Sequence, residues 1–343
     1  MEIIHKLQAL SLQDRSQIPQ VRNMAVTMAQ FLGFNETDSG KVAIVVTELA
    51  SNLIKHAKEG EIVLQMVENG GAQSGLDIYA LDKGPGITDI QKALRDGFST
   101  AGSPGTGLGA ISRLSSLFDV YALSQNGSIL FSRCWPTGCD ELKPVSHGAI
   151  SVPMPGEEMC GDSWHIIENA KRKMLLVVDG LGHGPLAADA ARLAVRIFQR
   201  NSSASPGTIL EAIHEGLRQT RGAAAAVAEL DEEQNQVCYA GVGNISGLLV
   251  TSGGSRSMVS QNGTLGHEIY KISEFQYKIE EGMAVVMHSD GLSSHWDLRK
   301  YPGILYRSPS VIAGLLYRDW NKKRDDTTVL VYRNSPEVFR WTI

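Results

Sequence analysis

The first 135 residues carry apolar positions at helical spacing, followed by apolar runs at strand spacing. An amphipathic helix is predicted over 18–32 from four side chains that recur every three or four residues: Val21, Ala25, Met28 and Leu32. A second helix is predicted from a cap near Asp38 or Ser39 to Ala57. Strands are predicted at 61–67, 76–81, 119–123 and 128–134, with a helix at 110–117. These elements predict an α/β sandwich in which a mixed sheet lies under helices.

Periodic segments give way to Pro, Gly, Cys, Lys and Ser between residues 135 and 148 and resume afterwards. A first domain is therefore predicted over 1–135, a linker over 136–148 and a second domain over 149–343. The second domain has predicted strands at 173–178, 223–230, 237–240, 283–288 and 327–332, and predicted helices at 185–199 and 311–320. They predict two sheets packed face to face and flanked by helices, so the expected fold class is α+β with two domains.

Composition narrows the classes of partner. The chain has 343 residues, 43% hydrophobic and 20% charged, which suits two domains that each have a core. A net charge of −5 gives no broad basic field, so nucleic acid is not an expected partner. No stretch reaches the roughly 18 apolar residues of a membrane span, so a membrane is not expected either. The four cysteines lack metal-binding spacing, and a cytoplasmic location is expected.

Three polar side chains recur every fourth residue on the second predicted helix: Glu48, Asn52 and His56. This spacing places them along one stripe of the helix. An asparagine carboxamide oxygen can bind Mg²⁺, and a glutamate one turn away can orient or deprotonate an attacking hydroxyl. A solvated polar face of an amphipathic helix explains the same stripe, so both interpretations stay open at this point.

Two glycine-bearing segments follow in fixed order. Asp82 ends a predicted strand and precedes Gly84 and Gly86, where backbone without side chains can approach a flat base while the carboxylate accepts a hydrogen bond from an amine. A glycine-rich run then leads into a helix and contains Gly105, Thr106, Gly107, Leu108 and Gly109. Free amides at a helix start bind polyphosphate, although a flexible loop alone explains such a run equally well.

The helix at 47–57, the Asp-x-Gly-x-Gly segment and the Gly-x-Gly-Leu-Gly run together resemble the ATP-binding fold of GHKL proteins. Within them the chain is most similar to anti-sigma-factor serine kinases, and the run at 97–100, Gly-Phe-Ser-Thr, resembles RsbT-type switch kinases. Over 1–135 the resemblance implies Glu48 as catalytic base, Asn52 as Mg²⁺ ligand and Asp82 as adenine reader. It also implies further ATP contacts from His56, Gly84, Gly86, Gly105, Thr106, Gly107, Leu108 and Gly109.

Four aspartates of the second domain stand where apolar strand-like runs end: Asp162, Asp179, Asp290 and Asp325. Glycine lies beside three of them. Carboxylates at strand ends can form an all-oxygen site for two hard cations, which activate water and clamp a phosphate. A single aspartate of this kind is more often a turn or cap residue, so the prediction depends on the four together.

The order Gly-Asp, Val-Asp-Gly-Leu-Gly-His-Gly, Ser-Asp-Gly and Asp-Asp-Thr-Thr resembles PPM-type phosphatases of the SpoIIE/RsbX branch, which act on phosphoserine and phosphothreonine. Over 145–335 the resemblance implies Asp179 as bridging ligand and catalytic residue, Gly180 as carbonyl ligand, and Mn²⁺ or Mg²⁺ as the cations. It also implies Asp162, Asp290 and Asp325 as the other ligands. The roles of three neighbours stay open: Asp326, His183 and Asn244.

The two resemblances imply a GHKL (Bergerat) α/β sandwich followed by a PPM-type αββα sandwich. They imply a serine/threonine protein kinase that uses ATP and an opposing metal-dependent phosphatase. The implied substrate is a STAS-domain protein of the anti-anti-sigma or stressosome type, with a sigma factor or downstream phosphatase as other partners and a homodimer as a common form. Because opposed activities would cycle ATP, nucleotide or partner binding is expected to control the phosphatase. The alternative is a non-catalytic docking or anti-sigma module beside a single enzyme, the phosphatase.

Overall fold

The chain folds into two compact units. The computed structural model describes residues 7–57, 59–68, 74–94, 107–139, 146–168, 172–231, 233–280 and 282–333. The first unit comprises Met1–Val145 and Tyr306–Arg318, and the second comprises Ser146–Leu305 and Asp319–Ser335. A segment from late in the sequence therefore groups with the first unit, whereas the composition alone assigns it to the second domain.

The first unit is built on one five-stranded sheet. Its strands are β1 Leu7–Leu12, β2 Gly60–Glu68, β3 Ser74–Asp82, β4 Leu117–Ala122 and β5 Ser128–Cys134. Its helices before residue 145 are α1 Ile18–Phe31, α2 Glu36–His56, α3 Ile90–Leu94 and α4 Gly107–Leu114. The strand order is β1-β2-β3-β5-β4, and each of these pairings is antiparallel. The prediction of a mixed sheet is wrong, because each pairing in this sheet is antiparallel. The consecutive strands β2–β3 and β4–β5 turn back on one another, whereas β1 reaches β2 through α1 and α2.

The second unit is a sandwich of two five-stranded antiparallel sheets. Its strands are β6 His147–Val152, β7 Asp162–Glu168, β8 Lys173–Gly180, β9 Ala223–Asp231, β10 Gln236–Val242, β11 Ser246–Thr251, β12 Gly254–Met258, β13 Phe275–Lys278, β14 Ala284–His288 and β15 Thr327–Arg333. Its helices α5 Pro185–Arg200 and α6 Pro206–Gly216 are followed by α7 Pro309–Trp320, which crosses the division between the units at Arg318. The sheet orders are β13-β10-β9-β8-β7 and β12-β11-β14-β15-β6.

Side chains alternate between two cores in the second unit. Leu175 and Val177 of β8 point into the core between the two sheets, where they meet Met287 of β14. Met174 and Leu176 point the other way and pack under α5 and α6. This period-two alternation is what a strand buried on both faces requires, and it confirms the predicted sandwich flanked by helices. Within the described residues, every helix is too short or too polar to cross a membrane.

Helix α2 begins earlier than the apolar pattern predicts. Asn35 is the N-cap, and its side chain accepts a hydrogen bond from the Asp38 amide at 2.8 Å. Asp38, one of the predicted caps, lies in the first turn and is only 3% exposed. Its carboxylate accepts hydrogen bonds from the Lys41 ammonium at 2.8 Å and from the Thr137 amide at 2.7 Å. These contacts hold the pKa of Asp38 at about 2, with the Lys41 hydrogen bond as the largest cause.

Asp38→Asn is expected to destabilise the first unit above pH 4 and to have little effect near pH 2. The pKa of Asp38 falls from 3.8 to about 2 on folding, so the ionised carboxylate contributes stability that is present above pH 3.8 and is lost as the pH falls through 2. The size of this pKa shift limits the contribution of the Asp38 carboxylate to the free energy of unfolding to about 2 kcal/mol. This contribution is measured by urea unfolding of the variant and of the unaltered protein, compared at about pH 6 and about pH 2.5. An equal difference in unfolding free energy at both pH values would contradict the assignment.

A buried ion pair joins two central strands of the first unit. Asp77 of β3 lies directly opposite Arg133 of β5. The guanidinium donates through Nε to Oδ1 at 2.5 Å and through a terminal nitrogen to Oδ2 at 2.7 Å. Both side chains are buried, and the guanidinium also lies 5.5 Å from the centre of the Phe131 ring. Burial raises the pKa of Asp77, and the positive charge of Arg133 opposes that shift.

Helix α7 covers one face of the sheet in the first unit. A Cβ placed on Gly314 would lie 3.2 Å from both Ile129 and Tyr79, so the helix backbone is in close contact with this face. The alternate residues Ile78 and Leu130 point to the other face, into the core under α1 and α2. The sheet is therefore enclosed by helices on both sides within this unit.

Polar contacts fix both ends of the same segment. The Ser308 amide donates to the buried Asp119 carboxylate at 2.7 Å, just before α7 begins. At the other end, the Arg318 guanidinium donates to the backbone carbonyl of Asp82 at 2.8 Å. The segment is thus anchored to β4 and to the end of β3, where the sequence predicts an adenine reader.

Candidate active sites

Two of the predicted metal ligands form a cross-strand pair in the second unit. Asp162 opens β7, Asp179 lies near the end of β8, and the antiparallel register sets them opposite one another. Asp162 is 6% exposed, and one of its carboxylate oxygens is buried without a hydrogen-bond partner. Burial, followed by the charge of Asp179, raises the pKa of Asp162 well above 3.8. A buried carboxylate oxygen without a donor is placed to accept a cation.

The remaining predicted ligands approach Asp179 from β14 and β15. Asp290 follows β14, and Asp325 precedes β15, which is paired with β14. The pKa of Asp179 rises to about 8, first through burial and then through the negative charges of Asp290, Asp325 and Asp326. The four strands therefore bring together the aspartates that the sequence places at separate strand ends.

Glycines beside these aspartates allow the backbone to pack closely. A Cβ on Gly180 would overlap the carbonyl group of Ala187 in α5, and one on Gly161 would lie 2.7 Å from Oδ2 of Asp326. A Cβ on Gly291 would overlap the backbone of Asp326. Each glycine is needed because a side chain would push the strand end away from the aspartates, which explains why Gly accompanies them in the sequence.

Asp326, whose role the sequence leaves open, is a positioning residue. Its two carboxylate oxygens accept hydrogen bonds from the Met154 amide at 2.8 Å and from the Gly161 amide at 2.9 Å. Its own amide donates to the Asp325 carboxylate at 2.9 Å. Asp326 thus ties the loop before β7 to the loop before β15, and it orients the Asp325 side chain.

The carboxylate oxygens of these aspartates are the kind of ligand that hard divalent cations prefer. Among the described residues, no three His, Cys, Asp or Glu side chains are arranged to hold an ion as they stand. The orphaned oxygen of Asp162 and the oxygen-only chemistry of the cluster match Mg²⁺ or Mn²⁺.

Polar neighbours whose contacts the sequence does not predict surround this cluster. Ser289 and Thr328 hydrogen-bond to Asp162, and both hydroxyl-bearing residues are fully buried. Asn244 donates from its carboxamide to Asp290 at 2.8 Å, so it is more than a turn residue. His183 is exposed, and its Nδ1 lies 2.7 Å from the Glu157 carboxylate. A serine or threonine next to a motif does not reveal which side chain it contacts, so the contacts of Ser289 and Thr328 with Asp162 follow only from the pairing of the strands.

The first unit brings the predicted polar stripe of α2 to the start of α4. A Cβ on Gly107 would lie 3.7 Å from the Glu48 carboxylate and 3.9 Å from the Asn52 carboxamide. The glycine therefore leaves space between these side chains and the first turn of α4. His56, the third member of the stripe, is exposed at the end of α2. A substrate phosphate at the helix start would face Glu48 and Asn52.

Asp82 is buried at the end of β3 in a tight backbone environment. It accepts hydrogen bonds from the Gly84 amide at 2.6 Å, the Ser128 amide at 3.1 Å and the Ser128 hydroxyl. A Cβ on Gly84 would lie 2.5 Å from the His56 carbonyl oxygen, and Gly86 has a φ of +76°. These two glycines are required by close approach to the protein's own backbone and by left-handed backbone, and the base-binding role of the segment stays a prediction.

The glycine-rich run falls partly outside the described residues. Gly105 and Thr106 lie there, as does the run at 97–100, so their predicted roles stay predictions. Gly107, Leu108 and Gly109 form the first turn of α4. The Leu108 side chain joins the core of the first unit, so its contribution to a nucleotide site would come from its backbone.

Two family models match the chain, one in each half. The model of the histidine kinase-like ATPase domain matches residues 11–131. The model of stage II sporulation protein E (SpoIIE) matches residues 169–334. The first match contains Glu48, Asn52 and Asp82, and the second contains Asp179, Asp290 and Asp325.

Curated relatives and a solved structure resemble the same halves. Serine/threonine-protein kinase RsbT of Bacillus subtilis (strain 168) is 36% identical over 118 residues, covering 34% of this chain and 88% of RsbT. Phosphoserine phosphatase RsbX of the same strain is 28% identical over 179 residues, covering 51% of this chain and 88% of RsbX. A chain in the solved structure "The bacterial stressosome: a modular system that has been adapted to control secondary messenger signaling" is 28% identical with a TM-score of 0.52, covering 55% of this chain and 98% of that one. The chain therefore belongs to the histidine kinase-like ATPase family through its first domain, and its second domain is similar to the SpoIIE family.

Proposed function

We propose that the second domain hydrolyses phosphoserine or phosphothreonine in a partner protein with two Mn²⁺ or Mg²⁺ ions. The observation that carries this proposal is the convergence of carboxylates, since burial and the charges of Asp290, Asp325 and Asp326 raise the pKa of Asp179. Bound cations would supply an activated water for in-line attack on phosphorus. The proposed ligands are Asp162, Asp179, Asp290, Asp325 and the carbonyl of Gly180.

Neighbouring residues would hold these ligands in position. Asp326 fixes the loop that carries Asp162 by accepting the Gly161 amide, and Asn244 orients Asp290. Outer residues of this kind set the direction of a ligand's lone pairs, and their loss commonly weakens a metal site. The similarity to a phosphoserine phosphatase over 179 residues supports the same substrate class.

The first domain would bind ATP and transfer its γ-phosphate to serine or threonine of the same partner. Glu48 would orient or deprotonate the attacking hydroxyl, and Asn52 would bind Mg²⁺ at the phosphates. Asp82 would accept a hydrogen bond from the adenine amine, with Gly84 and Gly86 giving the base room. The proximity of Glu48 and Asn52 to the start of α4 supports this arrangement, as does the 36% identity to a serine/threonine kinase.

A STAS-domain protein of the stressosome type is the proposed substrate of both activities. One support is that the two halves resemble a kinase and a phosphatase of one organism. A second is that 55% of the chain is similar to a chain of a stressosome study. A sigma factor or downstream phosphatase as a further partner, a homodimer and a cytoplasmic location stay predictions.

Phosphate transfer from γ-labelled ATP to a panel of STAS-domain proteins tests both halves together. The Asp179→Asn variant is the enzyme for the forward reaction, because it should not erase its own product. Labelling of a STAS serine or threonine, followed by removal of the label by the unaltered protein, is the expected result. Absence of transfer despite measurable ATP binding would reject the kinase and leave a phosphatase with a nucleotide-binding docking module.

Glu48→Ala separates a kinase from such a docking module. If Glu48 acts as the base, its loss should reduce phosphate transfer by about 10²- to 10⁴-fold while ATP binding is retained. Glu36→Ala is the matched control, since Glu36 is an exposed glutamate on the same helix. Calorimetric titration with ATP and transfer of labelled phosphate, measured on the same protein preparations, give the two quantities. Equal transfer rates in the two variants would remove Glu48 from the mechanism.

A further inference from the structure

Arg221 lies beside the loop that follows the proposed bridging ligand. The register of β8 and β9 sets Gly180 opposite Ala223. The pairing continues past the strand ends, because the Leu181 amide donates to the Gly222 carbonyl at 3.0 Å. Arg221 is therefore placed next to the Gly-Leu-Gly-His loop that begins directly after Asp179.

The guanidinium of Arg221 reaches over this loop. A Cβ built on Gly182 would lie 3.0 Å from a terminal guanidinium nitrogen, and Gly182 has a φ of +87°. The positive φ is what favours glycine at position 182, since the guanidinium is the end of a flexible side chain that could move aside. Gly182 thus allows the cationic group of Arg221 to lie against the backbone between Asp179 and α5.

The backbone around Arg221 is fixed, although its side chain is exposed. Nε2 of His267 lies 2.8 Å from the Arg221 carbonyl, and the Gly222 amide donates to the Thr220 hydroxyl at 3.0 Å. Within the described parts of the chain, no carboxylate lies within ion-pair distance of this guanidinium. Arg218, three residues earlier, shows the usual alternative, because it pairs with Glu215 at 2.8 Å. The backbone position of Arg221 is therefore fixed, and its exposed guanidinium can donate hydrogen bonds to a group that arrives from solvent.

We propose that Arg221 binds the phosphate group of the phosphorylated substrate at the second site. This inference rests on the proposed phosphatase function. A phosphate monoester is a dianion, and the charge of the two proposed cations is largely offset by the four aspartates, so a nearby guanidinium adds net positive charge for the incoming ester. The planar fork of a guanidinium can donate two parallel hydrogen bonds to phosphate oxygens. Arg221 would orient the ester and add positive charge at the entrance, without being a metal ligand.

Steady-state kinetics of the full chain with Mn²⁺ test the proposal on two substrates, p-nitrophenyl phosphate and a phosphoserine peptide. Arg221→Met should raise KM for both substrates, and the inhibition constant of inorganic phosphate, by roughly 10- to 100-fold, the effect of losing a charge-assisted hydrogen bond. Arg221→Lys should recover part of the loss, because it keeps the charge without the fork. Arg218→Met is the matched control and should leave all three constants unchanged.

The outcomes separate this inference from its alternatives. A raised KM for the peptide alone, with p-nitrophenyl phosphate and inorganic phosphate unaffected, would overturn it and make Arg221 a docking residue for the partner protein. Unchanged constants throughout would also overturn it. If the unaltered protein hydrolyses neither substrate, the proposed phosphatase fails independently, and calorimetric titration with inorganic phosphate and Mn²⁺ still decides about Arg221. Weaker phosphate binding by the Met variant than by the Arg218→Met control would then support the anion site by itself, and equal binding would reject it.

Discussion

Asp179→Asn is expected to reduce dephosphorylation by more than about a hundredfold, since loss of a residue that only orients a metal ligand already costs 10- to 100-fold. The carboxamide keeps the shape of the side chain and removes one negative charge from the cluster. Because the charges of Asp290, Asp325 and Asp326 raise the pKa of Asp179, the substitution relieves repulsion in the folded protein. The variant should therefore unfold at the same temperature as the unaltered protein or at a higher one.

Hydrolysis of p-nitrophenyl phosphate and thermal unfolding, measured side by side, check this expectation. Asp189→Asn provides the matched control, because Asp189 is an exposed aspartate of α5 that pairs with Arg192 on the surface. This control should keep its activity within about twofold, as surface substitutions usually do little. An Asp179→Asn protein that stays active would remove Asp179 from the catalytic site. A sharp loss of stability would instead indicate a structural role.

Arg133→Met is expected to destabilise the first unit by about 3–5 kcal/mol, the usual cost of leaving one member of a buried ion pair without its partner. Asp77 would lose both of its hydrogen bonds to the guanidinium while remaining fully buried between β2 and β5. Hydrogen exchange of peptides from β3 and β5 measures this local loss without requiring the two units to unfold together. Unchanged exchange in those strands would contradict the prediction.

A double variant identifies the physical cause. Asp77→Leu combined with Arg133→Met removes both charges, so its destabilisation should be smaller than that of Arg133→Met alone. Arg218→Met removes a guanidinium from an exposed pair with Glu215 and should have little effect on stability. If the double variant were as unstable as the single one, lost packing around Phe131 would explain the effect better than an unpaired charge.

Sequence pattern predicted the elements whose side chains follow a simple period. The helix bounded by Glu36 and His56 and the strand Ser128–Cys134 were predicted within a few residues, because their apolar stripes are long. Strand β7 was missed, since its sequence, Asp-Ser-Trp-His-Ile-Ile-Glu, mixes polar and apolar residues on both faces. Strands β11 and β12 were missed because Gly and Ser dilute their pattern.

The sequence predicts those residues of the candidate sites that belong to a local pattern. The aspartates at strand ends and the four-residue spacing of Glu48, Asn52 and His56 are local signals. The contribution of Asn244 or Thr328 depends on which strands pair, and single-chain periodicity contains no such information. The role of Asp326 became visible through two backbone donors, Met154 and Gly161, that are distant in sequence. Control of the phosphatase by nucleotide stays a prediction.

The placement of α7 has a consequence for how the protein is made. Residues 306–318 complete the first unit by covering the sheet face that contains Tyr79 and Ile129, yet they are translated after residues 146–305 of the second unit. During synthesis this face would stay uncovered until residues 146–305 of the second unit have been translated. The first unit can therefore be completed only on a chain that already carries most of the second. Any nascent chain that stops earlier would present an apolar sheet surface to chaperones and proteases.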